Sequence, residues 1–343
     1  MRKPGVAIVL LNWNGKTYLE KFLPSVVRHS NDLAEIIVAD NASTDNSIGF
    51  LKEHFPEVRI IAMPENTGYT GGYNRALKEV DADYYVLLNS DIEVTAGWLE
   101  PIIELMESDN SIAACQPKIL DYNNKKRFEY AGAGGGFIDY LGYPFCRGRI
   151  FNKLEEDNGQ YDDIVETFWA SGACMFVRAE SFHEAGGFDD SFFAHMEEID
   201  LCWRLKRMKY KIMYCGQSSV YHVGGGTLPK NNPRKTYFNF RNNLFLLSKN
   251  IKMPKLFFVL AVRAELDCLA SAVFLFQGNF KDFKAVYRAW CAFLLHYKKI
   301  HKKNQYLKTK KVGHIYKRSI LFDFFILNKK TLGDFSNNYS EPK

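Results

Sequence analysis

The sequence predicts an α/β fold on a mostly parallel, doubly wound sheet, followed by an amphipathic helical extension. Three observations carry that expectation. Over the first third of the chain, short apolar β-rich runs alternate with helix-spaced apolar residues, the pattern of strand–helix–strand units joined by right-handed crossovers. Polar residues gather directly after the predicted strands. Beyond residue 250 apolar residues recur every three or four positions over two long stretches, which is helical spacing.

The first run, residues 6–11, reads as a strand; it is too short for a signal-peptide core and leads into Asn-Trp-Asn-Gly. A helix follows with Leu19, Phe22, Leu23, Val26 and Val27 inward. Strands at 35–39, 59–62 and 84–88 then alternate with helices near 47–54 and 73–79. After Ile119 the pattern becomes loop-rich. The run Ala-Gly-Ala-Gly-Gly-Gly at 131–136 lacks the G-x-x-x-x-G-K-[ST] spacing of a phosphate loop, so it reads as a flexible loop. Regular pattern resumes at 167–178, passes Gly186-Gly187-Phe188 and enters a helix over 197–208. With 343 residues, 47% of them apolar, the chain can hold one large core plus an annex. The expected division is a catalytic domain over 1–249 and a helical hairpin with a basic tail over 250–343.

In that annex one stripe runs Phe258, Val262, Leu266, Leu269, Val273, Phe276, and after Gln277-Gly278-Asn279 a second runs Phe283, Val286, Trp290, Phe293, Tyr297. Arg263, Glu265 and Asp267 interrupt the first, each costing roughly 2.5–3.5 kcal/mol at a bilayer centre, which argues against a spanning helix. The formal net charge is +6, yet residues 283–322 hold eleven Lys or Arg and no acid, so the rest of the chain is slightly acidic. A hairpin of this kind suits an anionic membrane surface; packing of the same stripes on the catalytic domain is the plainer reading, and the two are compatible. Seven scattered cysteines without a C-x-x-C pair point to reduced thiols in a cytoplasmic setting, with peripheral attachment to the inner face of the cell membrane as the further expectation.

The polar residues locate a site. Asn12 and Asn14 follow the first strand, Asp40 and Asn41 the second, Asn66 the third, and Asn89, Ser90 and Asp91 the fourth. These are strand carboxyl ends, the rim where open α/β sheets bind ligands. Asp91 there suits a hard divalent cation, Mg²⁺ or Mn²⁺, held by one or two carboxylates and a diphosphate, although a lone Asp after a strand is more often a turn residue. Asp40 is placed to accept from a base or a ribose hydroxyl, while Ser43, Thr44, Asp45 and Ser47 read as caps. Asn-Trp-Asn-Gly stands where a dehydrogenase needs G-x-G-x-x-G, which disfavours that class. Glu197, Glu198 and Asp200 open a helix; the dipole and an Asp200–Arg204 pair explain part of this, and Glu198 is the chosen base for a displacement at an anomeric carbon. His222 is a candidate second metal ligand, against a prior of simple packing.

In this order the motifs resemble the family 2 glycosyltransferases of the GT-A fold, rhamnosyltransferase-like subgroup, over about residues 6–245. The marks are Val-Leu-Leu-Asn-Trp-Asn-Gly at 9–15, Asp-Asn-Ala-Ser-Thr-Asp at 40–45, Glu-Asn-Thr-Gly-Tyr-Thr-Gly-Gly-Tyr-Asn at 65–74 and Leu-Leu-Asn-Ser-Asp at 87–91, then Ala-Ser-Gly-Ala-Cys-Met-Phe-Val-Arg at 170–178, Gly-Gly-Phe-Asp at 186–189, Glu-Glu-Ile-Asp-Leu-Cys-Trp-Arg at 197–204, and His222. The resemblance implies that Asp40 contacts the nucleobase and that Asn12, Asn41, Asn66, Gly68, Gly72 and Asn74 line the nucleotide pocket with Asn89 and Ser90. It implies a metal on Asp91 completed by His222, a base at Glu198 with Glu197 and Asp200 beside it, and Arg241 and Asn242 near the diphosphate or acceptor. The metal motif reads Asn-Ser-Asp where many members have two aspartates, and the base is Glu where Asp is commoner. Implied too are an inverting transfer from a UDP- or dTDP-sugar to a glycan or lipid-linked acceptor, and a role in bacterial surface polysaccharide synthesis.

Three rivals are weaker. A nucleotidyltransferase needs a basic Gly-rich loop after the first strand, which residues 11–17 lack. An inactive, membrane-bound scaffold of the same fold is countered by Asp40, Asp91, Glu198 and His222 all being in place. A nucleic-acid binder rests only on lysines interleaved with Tyr297, Tyr306 and Tyr316, without a recognisable module, so no nucleic acid is expected as a partner.

Overall fold

The computed structural model describes residues 4–30, 32–130, 132–224, 232–303 and 312–331. Met1, Arg2, Lys3, the 225–227 part of the His222 motif, Tyr306 and the lysines of 304–311 lie outside the described residues.

The core sheet begins as expected. Strands β1 (Val6–Asn12), β2 (Glu35–Asp40), β3 (Arg59–Ala62) and β4 (Tyr84–Asn89) pair in parallel in the order β3-β2-β1-β4, with α1 (Lys16–Ser30), α2 (Ser47–His54) and α3 (Gly68–Ala76) as connections. Leu19, Phe22, Leu23 and Val26 of α1 are buried at the predicted spacing. Helix α3 starts at Gly68, five residues before the predicted start, because a tertiary contact caps its glycine-rich first turn: Phe193 O accepts from the amides of Tyr69 and Thr70 at 2.8 and 3.3 Å.

The sheet then departs from the doubly wound, mostly parallel expectation. After β5 (Ile92–Val94), α4 (Glu100–Ser108), β6 (Ile112–Asp121) and β7 (Asn124–Phe128), a second sheet of five strands is built from β8 (Gly136–Asp139), β9 (Pro144–Cys146), β10 (Arg149–Ile150), β11 (Lys153–Leu154) and the late β15 (Ile315–Tyr316). The chain returns to the main sheet through β12 (Ile164–Thr167) and β13 (Cys174–Arg178), then α5 (Ala179–Glu184), α6 (Glu197–Arg207) and β14 (Lys211–His222). Strand β13 runs antiparallel to both β4 and β6, making one mixed sheet in the order β12-β14-β6-β13-β4-β1-β2-β3. A strand buried on both faces shows an unbroken apolar run whichever way it points, so the sequence carries no sign of its direction.

The glycine run is not a flexible loop either. Residues 132–136 are buried, and a Cβ on Gly136 would lie 2.2 Å from the Trp169 ring. Its glycines serve close packing of backbone against side chains, with Gly132 and Gly135 at φ of +107° and +101°.

Helix α7 (Pro233–Asn250) precedes the extension, which is α8 (Lys255–Phe276), α9 (Phe280–Lys302) and α10 (Ile320–Phe325). It does not form a separate tail: β15 adds to β8, and Ile320 N donates to Asp139 Oδ2 at 3.0 Å. In α9 the predicted stripe faces inward, with Val286 and Phe293 buried. In α8 it faces outward. Phe258 and Leu269 are each 64% exposed and Phe276 89%, whereas Arg263, Asp267 and Ser271 are buried. A polar network sets that orientation. Arg263 Nη2 lies 3.2 Å from Asp267 Oδ1, its Nη1 donates to Leu141 O and to Asn243 Oδ1, and Trp290 Nε1 donates to Asp267 Oδ2 at 3.0 Å. Such a pair offsets its desolvation only while every partner stays in place.

Replacing Arg263 by Met therefore strands the Asp267 carboxylate, and urea denaturation should show a loss of about 3–5 kcal/mol, most of it recovered in Arg263→Met with Asp267→Leu. A single variant within about 1 kcal/mol of the parent would show that the network does not hold α8.

Candidate active site

The ends of β1, β2 and β4 lie side by side: Asn12 is opposite Asp40, and Leu11 is opposite Asn89. Hydrogen bonds lace the loops that follow. Asn12 Nδ2 donates to Asp40 Oδ1 at 2.9 Å and to Ser43 Oγ at 3.1 Å, and Asp40 Oδ2 accepts from Ser43 N at 2.9 Å. Asn14, at φ +52°, accepts from Thr44 N at 2.7 Å. Asp40 is thus a buried carboxylate that shapes its own loop. A Cβ on Gly15 would sit 2.5 Å from Asn12 Oδ1 and 3.5 Å from Ser90 Oγ, so Ser90 closes on Asn12 across this glycine.

A second lacing joins Asn41 to the segment before α3. Its Nδ2 donates to Asn66 Oδ1 at 3.1 Å and Gly68 O at 2.9 Å, and its Oδ1 accepts from Thr67 N at 3.2 Å. Gly72 allows this approach, since a Cβ there would fall 2.7 Å from Leu11 and 3.0 Å from Asn41 Nδ2. Asn74 clamps the 186–190 turn: its Nδ2 donates to Phe188 O and Asp190 Oδ1, and its Oδ1 accepts from Phe188 N.

Asp91, between β4 and β5, meets His222 at the end of β14, with Nε2 3.1 Å from Oδ1. On the other side of the ring Nδ1 lies 3.2 Å from Glu129 Oε2, a partner that a lone Glu in Phe-Glu-Tyr gave no reason to expect. Burial pulls the imidazolium down, but the Asp91 and Glu129 carboxylates outweigh it and raise His222 to about 10. Among the described residues no group of three or more His, Cys, Asp or Glu is arranged to hold a metal by itself. The pair fits a divalent ion that displaces the imidazolium proton and completes its shell with diphosphate and water: one hard carboxylate oxygen, one neutral imidazole nitrogen, and a carboxylate behind the imidazole to fix its orientation.

The acids of α6 divide sharply. Asp200 is fully buried and neutralised, 2.9 Å from Arg204 Nε and 2.7 Å from Lys249 Nζ; burial raises it, and those cations bring it below its ordinary value. That removes it from the catalytic set, because a carboxylate held by two cations is a poor proton acceptor. Glu197 and Glu198 have no such cation. Each has an Oε2 without a hydrogen-bond partner among the described residues. Burial, with Glu198 beside it, raises Glu197 well above the ordinary range, and burial pushes Glu198 up to about 7. A Cβ on Gly172 would lie 3.7 Å from Glu198 Cβ and 3.0 Å from Tyr69 Oη, and the next residue, Ala173, accepts from Asn89 N at 2.9 Å. Glu198 therefore stands on the same rim as Asn89–Asp91.

The segment before Glu197 is strained. Phe193, His195 and Met196 have φ of +66°, +71° and +71°, a region non-glycine residues seldom adopt. Asn242 and Arg241 hold it. Asn242 Nδ2 shares its hydrogens among the carbonyls of Phe192, Ala194 and His195 at 2.7–3.0 Å, and Arg241 Nη2 donates to Ser191 O and Phe192 O. Arg241 thus has a positioning role through Nε and Nη2, beside its sequence-based place near the diphosphate or acceptor.

The family description Glycosyl transferase family 2 matches residues 7–186. The N-acetylglucosaminyl-diphospho-decaprenol L-rhamnosyltransferase of Mycobacterium tuberculosis is 25% identical over 231 residues, 63% of this chain and 75% of that protein. The low-salt glycan biosynthesis hexosyltransferase Agl10 of Haloferax volcanii is 24% identical over 256 residues, 72% of this chain and 76% of its own. In structure the chain is similar to GalNAc-T7 with UDP, GalNAc and Mn²⁺ (TM-score 0.56, 15% identity, 72% of this chain and 48% of that one). It is also similar to the mannosyltransferase PcManGT of Pyrobaculum calidifontis with GDP-Man and Mn²⁺ (TM-score 0.51, 14% identity, 90% and 86%). Those likenesses show the GT-A fold.

Releasing the strained loop tests its role. Asn242→Ala should cost about 1–3 kcal/mol in urea denaturation, the usual cost of stranded acceptors, and lower turnover about tenfold or more by displacing Glu198. Full turnover in a destabilised variant would reduce Asn242 to a purely structural residue.

Proposed function

Because the chain belongs to glycosyl transferase family 2, we propose that it is an inverting, divalent-metal-assisted enzyme that moves a hexose or rhamnose from a UDP- or dTDP-sugar to the hydroxyl of a glycan or lipid-linked acceptor. Its setting is bacterial surface polysaccharide synthesis at the inner face of the membrane. The observation that carries the reading is Glu198, an uncompensated carboxylate raised to about 7, on the same rim as Asp91 and His222.

In this reading Glu198 accepts the proton of the acceptor hydroxyl as that oxygen bonds to the anomeric carbon. The bond from that carbon to the diphosphate oxygen breaks on the opposite face, and the electron pair leaves with the nucleoside diphosphate, so the configuration inverts. A base near neutrality combines adequate ionisation with useful proton affinity. Burial and the neighbouring Glu198 raise Glu197 as well, which favours its protonated form and so limits the negative charge around the base. Asp91 and His222 would hold the metal, which supplies positive charge to the departing diphosphate. The Asn12–Asp40–Ser43 and Asn41–Asn66–Gly68 lacings supply a preorganised wall for the nucleotide.

Release of nucleoside diphosphate from UDP-, dTDP- and GDP-sugars, with and without Mn²⁺ or Mg²⁺, is the direct assay. Metal-dependent turnover of one donor, lost in Asp91→Ala and Glu198→Gln, is expected. Donor binding and turnover unaffected by both substitutions would remove the assigned roles.

Turnover should also fall as pH drops through about 7, where Glu198 takes up its proton. Stability runs the other way. A carboxyl raised from 4.5 to about 7 on folding favours the folded state fully below pH 4.5, and that contribution is lost as pH rises through 7. Glu198→Gln should therefore be inactive yet more stable than the parent at pH 8, by on the order of 2 kcal/mol. Equal melting at pH 8 would mean that the carboxylate is not held at a cost.

A further inference from the structure

We propose that the outward face of the α8–α9 hairpin is a docking surface for an anionic lipid bilayer. The proposal deepens the peripheral placement given above and rests on the lipid-linked acceptor reading only for its purpose.

The face is apolar where a surface helix is ordinarily polar. Phe258, Val262, Leu269, Val273 and Phe276 form one exposed stripe along α8, flanked by Phe257, and Phe280, Tyr287, Leu294 and Leu295 continue on the exposed side of α9. Leu295 is 82% exposed. Large apolar side chains exposed at helical spacing along α8 mark an interaction surface. It is not a product of loose packing, since the Arg263–Asp267–Trp290 network holds the polar side of α8 against the core and so directs the stripe outward. No helix of the described residues is long and apolar enough to cross a membrane, which leaves a helix pair lying in the interface.

Charge selects the occupant. Lys281, Lys284, Arg288, Lys298, Lys299 and Lys302 are exposed on α9, and the only exposed carboxylate on either helix is Glu265. Cations bordering an apolar stripe match a bilayer with negative headgroups, whose acyl region takes the stripe and whose phosphates meet the lysines. A second copy of this chain fits poorly: a two-fold contact through this face would oppose the lysines of one α9 to those of its mate. A second apolar cluster lies across a single turn. Asp139 caps the start of α10, which exposes Phe322 and Phe325, while Leu141, two residues on, packs on Leu256 and Val259 of α8.

Flotation of the full chain with vesicles of phosphatidylcholine, alone or mixed with phosphatidylglycerol, tests this. The parent should float with the anionic vesicles, and Phe258→Ser/Leu269→Ser/Phe276→Ser should stay behind with both kinds. Lys284→Gln/Lys298→Gln/Lys299→Gln should lose the preference for anionic vesicles, about fivefold in partitioning for each cation that reaches the surface. Both variants should release nucleoside diphosphate at the parent rate with a soluble acceptor, a readout that fails or succeeds independently of flotation. A parent that does not float, or a serine variant that floats as the parent does, overturns the proposal. So does sedimentation showing a parent dimer that the serine variant converts to monomer, which would give the face to a second copy.

Discussion

The site depends on the strained segment 191–196, in which Phe193, His195 and Met196 take left-handed dihedrals and the amide of Asn242 holds the carbonyls. Three elements meet there. Phe193 O caps the first turn of α3, where Gly68 is required because a Cβ would fall 2.6 Å from the Phe193 ring. Asn242 and Arg241 of α7 hold the carbonyls, and the segment delivers Glu197 and Glu198 at the start of α6. Side-chain donors convert strain of order 1–3 kcal/mol per residue into a definite place for a carboxylate. Without Asn242 the chain would relax toward ordinary dihedrals and Glu198 would move relative to the loops that follow β1 and β2.

A division of charge is built on that frame. Within one helical turn, Asp200 is compensated and Glu197 and Glu198 are not. Lys249 reaches both Asp189 and Asp200 at 2.7 Å, and Lys303 adds to Asp189, so the structural carboxylates are ionised and fastened on one side of α6. Glu197 and Glu198, which lack such cations, carry a desolvation cost that folding must absorb elsewhere. His222 shows the opposite solution: two carboxylates flank one buried imidazole, whose cationic form offsets one of their two charges.

What could be read from the sequence follows from what repeats in it. Strand spacing locates the carboxyl ends of β1, β2 and β4, and hence Asn12, Asp40 and Asp91, because a strand end is a position in a pattern. Direction is not part of the pattern, so the antiparallel course of β13 was hidden. Partners are not part of it either. Asn74 and Arg241 sit in the right motifs, yet their hydrogen bonds go to the 186–195 segment, and Glu129 has no motif at all. Of the acids at 197, 198 and 200, the i,i+4 spacing sets Asp200 apart by its Arg204 pair, while its second cation, Lys249, comes from a distant helix and leaves no trace in the local pattern.

Helix α8 shows the same limit most clearly. An apolar stripe announces that one face differs from the other, and in most soluble proteins that face meets the core. Here the opposite face carries Arg263, Asp267 and Ser271, and the core offers them Leu141 O, Asn243 Oδ1 and Trp290 Nε1. A helix turned the other way would place an arginine and an aspartate in water and leave those buried groups unmet, at several kcal/mol for the set. The orientation is thus decided by polar satisfaction against the core and not by the stripe. The apolar residues are left facing outward as a consequence, available to a medium that water cannot replace.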